Sequence, residues 1–179
     1  MKHGSVKELI VDTASRLFYE QGYNATGINQ IIAEAGVAKA SLYQHFPSKE
    51  DLLKAYLSNE SARIMEALHA EVARHNTVQA KITAIFDDLG RTIKRTDFQG
   101  CHFLNIVSEL PSNNENIRAV IQKQKNAIRQ LFKSILKESK KQDLADEFYL
   151  LFEAALITGK VHQSDWTIRT AKNMAMKLL

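Results

Sequence analysis

Glu66 and His69 stand three residues apart, the spacing at which a helix presents a carboxylate and an imidazole to one metal ion in carboxylate-bridged dinuclear bundles. Such a site needs a second Glu-x-x-His pair and two further inward glutamates, and the chain has no second copy. His69 and His75 do not form a His-Glu-x-x-His motif, and neither a phosphate-cradling glycine loop nor a nucleophile elbow occurs. The one cysteine, Cys101, rules out an intrachain disulfide and a thiolate-cluster zinc site. Beside His102 it has two readings, a thiol made reactive by a cation and a helix N-terminus, or a small packing residue. No catalytic residue, metal site or cofactor is expected, and the chain does not read as an enzyme.

Recognition chemistry has better support. Between Thr26 and Phe46, Ile28, Ile31, Ile32 and Ala35 fall at helical spacing. Gly36 offers a left-handed turn, and Val37 to Phe46 opens a second helical pattern around Leu42 and Phe46. With Leu42 facing inward, Ala40 and Gln44 fall on the opposite face, Ser41 and Tyr43 flank it, and Lys39 stands at the helix start. Such a face suits the major groove. Gln44 can pair bidentately with adenine, Lys39 can reach guanine, and Ala40 can meet a thymine methyl. Tyr43, His45, Lys49 and Thr26 are placed to grip phosphates on either side.

The same stretch closely resembles the DNA-binding module of the TetR/AcrR family of bacterial transcriptional regulators. That family's signature, AGV-x-K-x-x-LY-x-HF-x-SKE-x-L, stands here as AGVAKASLYQHFPSKEDL. Gly27 departs from the family's usual Ser or Thr helix cap, and Ile32 from a common small Ala. The GCHFLN stretch at 100–105 resembles the start of the sixth helix in one branch of the family. The resemblance implies a homodimer on a double-stranded DNA operator, most often as a repressor. It also implies a small-molecule effector bound among helices four to seven, which shifts the fourth helix and respaces the two recognition helices.

Around these residues the chain reads as all-α, with about nine helices. Only 7 Gly and 2 Pro occur in 179 residues, and strict apolar–polar alternation is absent. Capping boxes at Ser5 with Glu8, Ser48 with Asp51 and Ser112 with Glu115 open three helices, while Gly22, Pro47 and Pro111 close others. Asn76 or Thr77 is expected to cap a helix carrying Val78, Ile82, Phe86 and Leu89. The expected division is a three-helix helix-turn-helix domain at 1–47 and a helical effector-binding and dimerisation domain at 48–179. No segment reaches the roughly 20 apolar residues of a membrane span, and no signal peptide is recognised, so a cytoplasmic location is expected.

Charge adds a constraint. The net charge is +4, yet residues 1–50 hold five basic and five acidic side chains, whereas residues 111–141 hold eight and two. DNA binding must therefore rest on the placement of a few cations and amides, and the basic excess reads as a solvated helix face. FYLLFEAALI, residues 148–157, is apolar nearly all round, which predicts homodimerisation through residues 142–179, with Ala154, Ala155 and Gly159 admitting a close helix. Phe86, Phe103, Asn105, Gln124 and Phe152 lie on inward stripes and are the expected effector-binding residues. A same-fold DNA-binding protein without an effector, controlled by protein partners or dosage, is the competing reading. Effector, operator and regulated genes are not written in the chain.

Overall fold

The computed structural model describes residues 5–111 and 113–179. Among them are nine α-helices and no strand: α1 (Val6–Glu20), α2 (Ile28–Ala35), α3 (Lys39–His45), α4 (Lys49–Ala73), α5 (Val78–Arg95), α6 (His102–Glu109), α7 (Glu115–Lys137), α8 (Ala145–His162) and α9 (Trp166–Leu178). The helix ends follow from local chemistry. Ser5 and Glu8 form the reciprocal capping box of α1, with Glu8 Oε2 accepting from the Ser5 amide at 2.6 Å. Ser48 Oγ accepts from the Asp51 amide at 3.1 Å and donates to its carboxylate at 2.6 Å, which starts α4. Thr77 Oγ1 caps α5 through the Ala80 amide at 3.2 Å. For α7 the expected box includes Ser112, which lies outside the described residues; Asn114 Oδ1 accepts from the Ile117 amide at 3.1 Å and serves as a cap.

The helices form two compact units. The first runs to Ser61 and takes in His102–Ile121, so it holds α1 to α3, the start of α4, α6 and the first turns of α7. The expected boundary at residue 47 thus leaves out α6 and the first half of α4. Two sets of contacts draw them in. The His102 ring stacks on Tyr19 with centroids 3.9 Å apart, and Glu109 holds the α1–α2 turn. Phe18 is the aromatic centre, with ring centroids 5.3 Å from Tyr23 and 5.8 Å from Tyr56. Ile10, Leu17, Ile31, Leu42, Leu53, Phe103 and Ile106 are buried within this unit.

The second unit comprises Ala62–Cys101 and Gln122–Leu179. Helices α5, α8 and α9 pack on one another, and Phe86, Phe132, Phe148 and Phe152 form a continuous aromatic cluster with neighbouring centroids 6.0 to 6.5 Å apart. Burial of these rings together with the aliphatic residues around them, among them Ile82, Leu89, Leu131 and Ile135, drives the packing of this unit. Lys125 is held inside it by Glu153, Nζ to Oε2 at 2.7 Å, and lies 3.3 Å from Cys101 Sγ.

Candidate nucleic-acid interface

The turn between α2 and α3 is built as the spacing predicts. Gly36 has φ 64° and ψ 32°, the left-handed region that costs glycine nothing. The Val37 amide donates back to Ile32 O at 3.2 Å, which closes the end of α2. Helix α3 has no side-chain cap, and its position is set by burial of Leu42 and of Phe46 just beyond its end. Both packing residues face inward, so the opposite face is free for a partner. Lys39, Ala40, Tyr43, Gln44 and His45 are exposed, and Ser41 is half-buried.

Two of the expected phosphate-gripping residues have work inside the protein. Thr26 is 0% exposed; its hydroxyl donates to Gly22 O at 2.7 Å and accepts from Gln21 Nε2 at 3.1 Å. The phosphate contact expected of Thr26 is corrected to a bracing role in the turn before α2. The Lys49 ammonium donates to Tyr23 O at 2.6 Å and sits 4.2 Å from the centre of the Tyr23 ring. Burial lowers its pKa from the ordinary lysine value, and nearby Glu109 opposes that shift. Through these contacts Lys49 ties α4 to the α1–α2 turn, with one of the three donors of its ammonium spent on the Tyr23 carbonyl.

Acid on this surface is also accounted for. Glu34, on α2, is bonded by Gln30 at 2.9 Å and paired with Arg16, and these two hold its carboxyl below the usual range. Gln30 in turn exchanges hydrogen bonds with Gln21. Sequence reasoning missed this network and the Glu109 contacts. The Gln21–Gln30 pair bridges two helices, and Glu109 meets a turn 85 residues earlier in the chain, so no local pattern signals either.

The expected effector residues are distributed as follows. Phe86 and Phe152 are buried and in contact, with centroids 6.3 Å apart, and Gln124 is buried in the same unit. Phe103, buried, and Asn105, half-buried, belong to the first unit. Unanticipated is an open groove of about 330 Å³ between α5 and α9, lined by Phe86, Asp87, Arg91, Lys94, Asp165 and Arg169 among others.

Residues 10–56, which span α1 to the first turns of α4, match the family of bacterial regulatory proteins described as the tetR family. The likeness to that family lies in this stretch, which carries the helix-turn-helix. Among relatives, an HTH-type transcriptional regulator LmrA of Bacillus subtilis is 47% identical over 75 residues, covering 37% of this chain and 40% of that protein. The HTH-type transcriptional activator FasR of Mycolicibacterium smegmatis is 36% identical over 78 residues, covering 41% and 36%. The chain thus spans less than half the length of these curated relatives. In fold, it resembles the TetR-family transcriptional regulator SCO4454 of Streptomyces coelicolor, with a TM-score of 0.90 at 24% identity over 98% of this chain and 88% of that one. No helix among the described residues is long and apolar enough to cross a membrane.

Proposed function

We propose that this chain is a DNA-binding transcriptional regulator of the TetR family that reads a palindromic operator with the outward face of α3. The observation that carries the reading is the exposure of Lys39, Ala40, Tyr43 and Gln44 on a helix pinned by Leu42, within the matched stretch. Gln44, Lys39 and Ala40 read bases; Ser41 borders them; Tyr43, His45 and the remaining donors of Lys49 hold phosphates. The protein acts in the cytoplasm as a homodimer whose half-sites lie in successive major grooves, roughly 34–36 Å apart or more.

Dimerisation is assigned to α8 and α9. Leu150, Ala154, Ile157 and Val161 form one exposed stripe on α8, and Trp166, Met174 and Leu178 are exposed on α9. This differs in detail from the sequence expectation. Ala155 is buried in its own chain, and a Cβ at Gly159 would lie 2.6 Å from Ile93 Cδ1, so both face inward and Ala154 faces out. An uncovered apolar stripe of this kind is characteristic of an interface.

A repressor released by a small-molecule effector is the mode proposed, with Phe86, Gln124 and Phe152 of the second unit as the effector-binding residues. The contact of Phe86 and Phe152 within a packed aromatic cluster favours a second reading, an effector-free regulator governed by partners or dosage. A thermal-shift screen against metabolites separates them, since a ligand at 100 times its Kd adds about 2.7 kcal/mol of stability. Selection of bound sequences from random DNA tests the operator assignment itself.

A further inference from the structure

The turn joining α1 to α2 has its backbone groups satisfied by side chains from far along the chain. Glu109, the last residue of α6, spends both carboxylate oxygens on it: Oε1 accepts from the Tyr23 amide at 3.2 Å and Oε2 from the Asn24 amide at 2.8 Å. Asn24 Nδ2 returns a bond to Glu109 O at 3.0 Å. Gly22 makes room for this approach. Its φ is +94°, and a Cβ added there would lie 2.9 Å from Glu109 Oε1.

Beyond the turn, the bracing continues toward the recognition helix. Thr26, buried, donates its hydroxyl to Gly22 O at 2.7 Å and its amide to Tyr23 O at 3.3 Å, and α2 starts two residues later. Any displacement of the turn is therefore carried into α2 and, through the Gly36 corner, into α3. The other end of α6 is fastened as well. His102 stacks on Tyr19, its Nδ1 lies 2.5 Å from Tyr56 Oη, and its Nε2 lies 3.6 Å from Glu60 Oε2.

We propose that Glu109 is a positioning residue for operator recognition: through the α1–α2 turn it sets the orientation in which α2 and α3 meet DNA. The role rests on the operator-binding function proposed above. Hydrogen bonds to a charged acceptor are the strong ones, and two of them on adjacent amides fix the plane of the turn. Helix α6 thereby becomes a lever on the DNA-binding surface that touches no DNA.

The test is Glu109→Gln, which is isosteric and puts an NH2 group where one acceptor oxygen stood. Affinity for the operator selected by the unsubstituted chain should fall about tenfold at fixed salt. Base preference and salt slope should stay unchanged. The sign is diagnostic, because removing an acidic charge otherwise strengthens binding to a polyanion. Gly22→Ala should lower affinity in the same way, and the Tyr23 and Asn24 amides should exchange faster in both variants. Should Glu109→Gln fail to fold, Asn24→Ala, which removes one contact, should show a smaller loss in the same direction. Folded Glu109→Gln that binds as tightly as the unsubstituted chain, or more tightly, overturns the proposal alone. An unsubstituted chain that enriches no sequence overturns the operator reading and this role with it.

Discussion

Lys49 places its ammonium 4.2 Å from the centre of the Tyr23 ring and donates to the carbonyl of the same residue at 2.6 Å. One cation thus ties the first turn of α4 to the turn before the recognition module, and the phosphate contact proposed for it would use its remaining donors.

Two effects should therefore separate on substitution. Lys49→Ala should cost about 1 kcal/mol of stability, from the lost charged hydrogen bond and cation–π contact. It should also weaken binding to all DNA sequences alike and reduce the salt slope by about one charge per subunit. Chemical denaturation reads the first, and a salt titration of binding reads the second.

The assembly prediction turns on which face of α8 is covered. Ile157 is exposed and Ala155 is buried. Ile157→Glu should leave a folded monomer, because an obligate interface of more than about 2,000 Å² is lost while the chain's own core is intact. Ala155→Glu should instead unfold or aggregate, since it buries an unpaired charge. Sedimentation velocity with circular dichroism distinguishes these outcomes. A sharp dimer of Ile157→Glu would remove α8 from the interface.

Acid stability has a local handle at the start of α4. The Ser48 hydroxyl, and then Lys54, hold the Asp51 carboxyl below its ordinary range. The folded state therefore prefers the ionised form. That preference stabilises the fold above the unfolded aspartate value of about 3.9, and is lost as pH falls through that value and the lower folded one. Asp51→Asn should be less stable than the unsubstituted chain at neutral pH, with the difference shrinking on acidification. Thermal melts from pH 7 to pH 3 measure it.

Much of this was legible in the chain because the signals are local. Ser5 with Glu8, Gly36 after Ala35 and Pro47 after Phe46 act within one turn of helix, and Leu42 with Phe46 orients α3. What was misread depends on tertiary partners. Thr26 reads in sequence as a phosphate-gripping surface residue and is buried, its hydroxyl claimed by Gln21 and Gly22. Ala154 and Ala155 are indistinguishable by composition, and only the packing of α8 on α5 and α9 decides which faces out. The first compact unit takes in α6 for the same reason: Glu109 and His102 bind it to the α1–α2 turn, α1 and α4 through contacts that no periodicity records.

The central claim is that the outward face of α3 reads DNA sequence, and binding-site selection with the unsubstituted chain and Gln44→Ala in parallel tests it most directly. The unsubstituted chain should enrich a pseudo-palindrome with half-sites roughly 34–36 Å apart or somewhat more. Gln44→Ala should enrich the same palindrome with about 1–3 kcal/mol of discrimination lost at one base pair in each half-site. An identical base preference in the two proteins would contradict the account.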